Sequence, residues 1–161
     1  MKIIVLADTH IPERSSDLPK QIYDDLKDSD LILHAGDIIS LEFLKKLEKF
    51  GKVQAVQGNM DEPALKDKLP LKEIIRVAKF TIGLTHGRGS PFGLVEQVHK
   101  EFLKEKPDVI IFGHSHKPLN TRKDGILFFN PGSPTDKIFS DNNSYGVITI
   151  GDSIEAKIVK L

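Results

Sequence analysis

The sequence predicts an α/β protein built as a mixed, layered sandwich, and three observations carry that expectation. Short apolar runs of strand length recur along the chain, helical stretches separate the early ones, and hairpin turn signals appear in the last third. The runs, rich in isoleucine and valine, cover residues 3–7, 31–33, 53–56, 80–84 and 109–112, and each reads as a buried strand.

The first helical stretch is 18–26, after Pro12 and Ser16; the second is 41–50, where Ser40 is a cap and Gly51 a stop. A third helix is predicted over 93–104, with Leu94, Val95, Val98 and Phe102 at core-facing spacing and Pro107 ending it. Asp124-Gly125 lies between 119–123 and 126–129, and Gly151-Asp152 between 147–150 and 154–159, so each pair of segments reads as a hairpin. The first half is therefore expected to build parallel βαβ units and the second to add antiparallel strands.

A chain of 161 residues predicts one domain over 1–161 with a sizeable core, and no repeat, linker or low-complexity tract divides it. Lysine plus arginine number 23, as do aspartate plus glutamate, so no global field draws the protein to nucleic acid or to an anionic membrane. Attraction for an anionic substrate must be local. Cysteine is absent, which excludes disulfides and thiolate catalysis and leaves oxygen and imidazole nitrogen as metal donors. The first apolar run ends at Asp8, too early for a signal-peptide core or a membrane span, so a cytoplasmic protein is expected.

The chemistry follows the strands: Asp8, Asp37, Asn59, His86 and His114 each come just after an apolar run. The carboxyl ends of neighbouring parallel strands converge on one crevice, so these residues can meet. His10 and His116 follow two positions after Asp8 and His114, and in extended chain such pairs point to one side. Gly36, Gly58 and Gly113 precede three of the candidates, where a sharp turn or a close backbone approach needs them. Singly, each residue has a plain reading as a turn, a cap or a structural histidine; their joint placement favours a shared site. His34, on the second strand, reads as support for it, and His99, on a helix, as surface. Four histidines, two aspartates and an asparagine exceed what one ion needs and suit two adjacent ions of manganese, iron, cobalt, nickel or zinc. Two such ions against two carboxylates leave positive charge to favour phosphate.

Asp8-Thr9-His10, Gly36-Asp37, Gly58-Asn59, Thr85-His86-Gly87 and Gly113-His114-Ser115-His116, with the later Asn130-Pro131-Gly132-Ser133 turn, resemble the ordered signature blocks of calcineurin-like metallophosphoesterases. The similarity is greatest to the small bacterial and archaeal phosphodiesterases of that superfamily. It implies a four-layer α/β/β/α sandwich with mixed sheets and a site for two divalent ions. It further implies that Asp8, His10 and His116 hold one ion, that Asn59, His86 and His114 hold the other, and that Asp37 bridges ions about 3.5 to 4 Å apart. Asp37, Asn59 and His86 are the implied catalytic residues, and in-line attack on phosphorus by a metal-bridging hydroxide is the implied mechanism.

One position departs from the pattern: many members carry histidine after the asparagine, placed to protonate the leaving alkoxide, and this chain has Met60. A thioether donates no proton, and general acid catalysis is typically worth about 10²- to 10⁴-fold. Asp61 and water are the replacements weighed, while Arg88 and Arg14 are weighed as phosphate-holding groups against solvated loop arginines. The expected activity is therefore metal-dependent hydrolysis of small-molecule phosphodiesters, with phosphomonoesterase or nucleotide phosphatase as the alternative. A non-catalytic scaffold on the same fold, similar to the retromer subunit, is the alternative of another class. The family resemblance permits homo-oligomers.

Overall fold

A computed structural model describes residues 1–139 and 142–161. The elements run β1 (Lys2–Leu6), α1 (Lys20–Lys27), β2 (Leu31–His34), α2 (Leu41–Glu48), β3 (Val53–Ala55), α3 (Pro63–Lys68) and β4 (Lys72–Val77). They continue as β5 (Phe80–Thr85), α4 (Leu94–Glu101), β6 (Val109–Ile111), β7 (Leu119–Lys123), β8 (Ile126–Asn130), β9 (Ser144–Ile150) and β10 (Ile154–Lys160).

Two five-stranded mixed sheets result, in the orders β10-β9-β1-β2-β3 and β4-β5-β6-β8-β7. In each, three strands run parallel and antiparallel strands extend the sheet: β1, β2 and β3 are flanked by the β9–β10 pair, and β5, β6 and β8 by β4 and β7. The second half thus builds a parallel core of its own, which corrects the expectation that it adds antiparallel strands alone. The reason lies in the connections: β5 to β6 crosses over through α4, and β6 reaches β8 by way of the edge strand β7.

The apolar runs lack a polar face because both faces of each sheet are covered. Ile3 and Val5 of β1 pack with Val109, Ile111, Leu127 and Phe129 of the other sheet in a core between the sheets. Their neighbours Ile4 and Leu6 face outward onto Ile22 and Leu26 of α1 and Phe43, Leu44 and Leu47 of α2. On the opposite side Ile110 and Phe128 meet Leu94, Val98 and Phe102 around α4. Helices, sheet, sheet and helix make the four layers of an α/β/β/α sandwich.

Ser40 caps α2 by accepting the Phe43 N–H at 3.2 Å. The helices are shorter than their patterns predict: α1 starts at Lys20, α2 ends at Glu48 and α4 covers Leu94–Glu101. Two elements went unexpected. β4 is an edge strand with charged Lys72, Glu73 and Arg76, and its turn into β5 uses Ala78 at φ 52° and Lys79, with no glycine or asparagine to mark it. α3 has six residues and buries Leu65 alone, too little for a periodic signal. No helix among the described residues is long and apolar enough to cross a membrane.

Gly146 of β9 shows how tightly the sheets meet: a Cβ there would lie 2.4 Å from Phe129 Cε1 and 3.1 Å from Val5 Cβ. Gly146→Ala is expected to destabilise the fold by about 1–3 kcal/mol through overpacking, read as a lower urea midpoint. Adding Phe129→Leu should recover part of the loss; an additive double variant would show that the two side chains do not compete for that space.

Candidate metal centre

The residues expected at strand ends do converge. Asp8 and His10 follow β1, Asp37 follows β2, Asn59 follows β3, His86 follows β5, and His114 and His116 follow β6. The site therefore lies where the carboxyl ends of the parallel strands of both sheets meet. The backbone there is not extended: Asp8 (φ 52°), His10 (44°), Asp37 (56°), His114 (69°) and His116 (57°) all occupy the left-handed region. Asp8 and His10 thus approach one cluster through successive tight turns, not through the strand alternation expected from their spacing, and the same holds for His114 and His116. Sparsely populated conformations of this kind cost about 1–3 kcal/mol each and gather at functional sites.

Close backbone approach explains the preceding glycines. A Cβ at Gly58 would lie 2.1 Å from Asp37 Oδ1 and 2.2 Å from Asp37 N; one at Gly36 would meet the His86 ring at 2.7 Å; one at Gly113 would be 2.8 Å from Asp8 Oδ2.

Asp37, Asp8, His86 and His116 are each anchored on one side and turn the other toward the cluster, whereas His10 Nδ1 is buried without a partner. Asp37 Oδ1 accepts the Met60 N–H at 2.8 Å, while Oδ2 lies 3.6 Å from His10 Nε2 and 3.4 Å from His86 Nε2. Asp8 Oδ1 accepts the His114 N–H at 3.2 Å, and Oδ2 is buried without a partner. The Ala35 carbonyl, 2.7 Å from His86 Nδ1, places the ring proton there and turns Nε2 inward, 3.1 Å from Asn59 Oδ1. Asp136 Oδ2 does the same for His116 from 2.5 Å on Nδ1, leaving Nε2 3.4 Å from Asp8 Oδ1 and 3.3 Å from His10 Nε2.

Two triads, Asp8–His10–His116 and Asp8–Asp37–His86, have donor atoms close enough to hold a metal ion. Orphaned Asp8 Oδ2 and the facing nitrogens of His10 and His116 are what an ion would satisfy, so the residues fit a metal. His114 stands apart from both triads: its Nε2 donates to the Gly89 carbonyl at 2.8 Å, which leaves Nδ1 with the lone pair, and its ring is 5.2 Å from that of His86.

With no ion bound, burial raises Asp8 to about 6 and lowers His10 to about 4. Burial is the largest influence on Asp37 and His86 and works against charge on both, but their mutual bond, the neighbouring charges and the backbone bonds to Met60 and Ala35 together outweigh it, holding Asp37 near 2 and lifting His86 to about 9. His34 is fully buried against Thr9 Oγ1 at 3.0 Å and is lowered to about 3 by burial, a supporting group as expected. His99 is half-buried, not a surface residue; its ring stands edge-on to Phe128 because α4 packs on β8.

Asp61 accepts the Ile39 and Gly58 N–H groups, both at 2.7 Å, so it ties together the loops carrying Asp37 and Asn59 and has no oxygen free to deliver a proton. Arg14 lies on the cleft wall but gives Nη1 to Asp136 Oδ1 at 2.8 Å; Arg88 is 80% exposed. Asp136 itself was missed. It sits in a loop beyond the strand ends, and only the surrounding Ser133-Pro134-Thr135 hints at a structured turn: Ser133 Oγ donates to the Asp8 carbonyl at 2.7 Å and Thr135 Oγ1 to that of Thr9 at 2.6 Å.

This geometry defines a candidate metal centre on an α/β/β/α scaffold. The sequence matches the family model of the calcineurin-like phosphoesterase superfamily domain over residues 1–153, and the chain belongs to that family. It is 36% identical over 160 residues to a probable metallophosphoesterase of Methanothermobacter thermautotrophicus, covering 99% of this chain and 92% of the relative. A solution structure of a Thermotoga maritima protein is 36% identical, with TM-score 0.78 and 99% of each chain covered. Vps29 of Entamoeba histolytica, crystallised with Zn²⁺, is 28% identical, with TM-score 0.81 and 99% of each chain covered.

In metal-stripped protein, nitrogen NMR is expected to find His86 doubly protonated at neutral pH and titrating near 9, with His10 and His34 neutral down to about pH 5. The raised His86 value means that its stabilisation is complete below its ordinary 6.5 and is lost as pH rises through about 9. A His86 titration near 6.5 would show that its pairing with Asp37 is not formed.

Proposed function

We propose that the chain is a dinuclear metal-dependent phosphodiesterase. The observation that carries the reading is that two clefts border the donor cluster, one lined by His10, Asp37, His114 and His116 and the other by His86, with Asn59 lining both. A phosphate centred on the cluster would have room for an ester arm on either side, which a monoester does not need.

Asp8, His10 and His116 would hold one ion and Asn59, His86 and His114 the other, with Asp37 a ligand to both. When bound, such ions supply Lewis acidity toward phosphate oxygens and a water nucleophile active at neutral pH. Their identity within the manganese, nickel, iron, cobalt and zinc group is open to assay. The protein's own part is orientation. Met60 N–H and the Ala35 carbonyl fix Asp37 and His86, and Asp136 fixes the tautomer of His116. Met60, half exposed at the cleft, cannot protonate a departing oxygen, and Asp61 has both oxygens engaged. With neither Met60 nor Asp61 to supply it, the leaving alkoxide takes its proton from water in this reading.

The protein stripped by a chelator is expected to lose hydrolysis of an activated aryl phosphodiester and to regain it with manganese, nickel or a similar ion. Failure of every metal with every phosphoester would defeat the proposal, and a large preference for matched monoesters would replace phosphodiesterase by phosphomonoesterase. Asp136→Ala should lower metal affinity or activity about 10- to 100-fold. Without a protein acid, kcat/KM should fall steeply with rising leaving-group pKa; a flat dependence would reveal a proton donor elsewhere. The likeness to Vps29 favours a second reading, a scaffold. Because that Vps29 was crystallised with zinc, bound metal alone does not separate the two readings, and hydrolysis does.

A further inference from the structure

The two clefts differ in chemistry. The larger, about 800 Å³, has Leu94, Phe112 and Leu119 on its wall and Phe92, Met60 and Phe139 at its mouth; of its charged groups beyond the donors, Arg14 is paired with Asp136 and Glu96 with Lys123, which leaves Lys117, among the described residues, as a lone cation beside the hydrocarbon. Phe92 is 90% exposed, Phe139 58% and Met60 50%. Large apolar side chains left in water around one opening mark a surface that something covers. The smaller cleft, about 440 Å³, is bordered by Lys66, Lys72 and Arg88 against a single carboxylate, Glu101.

That carboxylate is committed elsewhere: it accepts from Thr85 Oγ1 at 2.9 Å and Gln97 Nε2 at 2.7 Å, and Arg88 Nε comes only within 3.8 Å of it. Lys72 is spent on Glu105 at 2.9 Å, whereas Lys66 donates to the Asn59 carbonyl at 2.8 Å, beside the donor cluster. In a chain with no net charge, the smaller cleft carries a local positive excess.

We infer that the site takes an unsymmetrical phosphodiester, with a flat aromatic arm in the Phe92–Leu119 cleft and an arm bearing further negative charge in the Lys66–Arg88 cleft. The inference rests on the phosphodiesterase reading. The Phe92 ring, 90% exposed, offers a face for stacking, which a flat arm exploits and a small alkyl arm does not, while Phe139 already carries the Arg14 guanidinium over its ring at 5.2 Å. Met60 lines the aromatic side, so the arm that leaves without a protein acid is the one whose alcohol is acidic. Water adds to phosphorus and releases one proton to solvent, the bond from phosphorus to the aryl oxygen breaks, the aryl oxygen takes up one proton from solvent, and the charged arm retains the phosphate as a monoester.

The test uses metal-loaded full-length protein and aryl diesters of matched leaving-group acidity, phenyl against naphthyl, whose second arm is ethyl, ethyl phosphate or propionate. The charged-arm to neutral-arm ratio of kcat/KM should be about tenfold in the native chain, shrink with added salt and drop to near one in Lys66→Gln/Arg88→Gln. Because Lys66 also holds the Asn59 carbonyl, the ratio and not the absolute rate is the readout. The phosphate and propionate arms show whether the second charge is read as phosphate or as any anion. Phe92→Ser should lower the naphthyl to phenyl ratio about threefold. Titration with the phosphonate analogue of the naphthyl, phosphate-armed diester should shift the NMR signals of both Phe92 and Arg88. Diester hydrolysis with ratios near one that neither variant moves would overturn this inference alone, whereas absence of any diester hydrolysis would overturn the phosphodiesterase reading and this inference with it.

Discussion

Everything near the strand ends is fitted to one constraint: two carboxylates and three imidazoles, Asp8, Asp37, His10, His86 and His116, are almost wholly removed from water within a few ångströms of one another. Burying such groups costs several kcal/mol unless each finds a partner. The fold supplies about half of what they need. Met60 N–H, His114 N–H, the Ala35 carbonyl and Asp136 take the outer atom of four of them, and the inner atoms face each other across the gap. A centre built only for stability would pair both sides. Orphaned Asp8 Oδ2 and His10 Nδ1 show that this one does not.

The same constraint explains where strain is kept. The five left-handed residues at the strand ends bring their side chains in by turning the backbone sharply, and aspartate and histidine tolerate that region better than bulkier residues. The cost is borne where sheet hydrogen bonding has already ended, so the ladders behind the site stay regular. Gly36, Gly58 and Gly113 then let neighbouring loops close to distances that any side chain would forbid. Asp61, bonded to both Ile39 N and Gly58 N, ties two of those loops into one piece.

Much of this was legible in the sequence, for identifiable reasons. Strands covered on both faces leave uninterrupted apolar runs, and the residue after each run is placed by the end of the ladder, so Asp8, Asp37, Asn59, His86 and His114 could be found by position. What failed had no one-dimensional signature. β4 is an edge strand with charges on it and an unmarked turn, and α3 buries one side chain. Asp136 gains its role from meeting His116 across a loop twenty residues away, a contact that no spacing encodes. His114 was legible as a histidine at a strand end, but its bond to the Gly89 carbonyl and its place apart from the two triads came only with the fold.

Net charge illustrates how a global property can mislead about a local one. Equal numbers of acids and bases describe a neutral chain, yet the balance is not kept at the site. Asp37 is paired inward with His86, Arg14 is turned back onto Asp136, Lys117 borders the larger cleft, and Lys66, Lys72 and Arg88 gather at the smaller one. The larger cleft adds a hydrocarbon wall of Leu94, Phe112 and Leu119. A substrate phosphate would therefore meet positive charge on one side and hydrocarbon on the other. That asymmetry comes from the walls and owes nothing to the donor residues, so it is at the walls that relatives sharing the donor set are free to diverge in what they recognise.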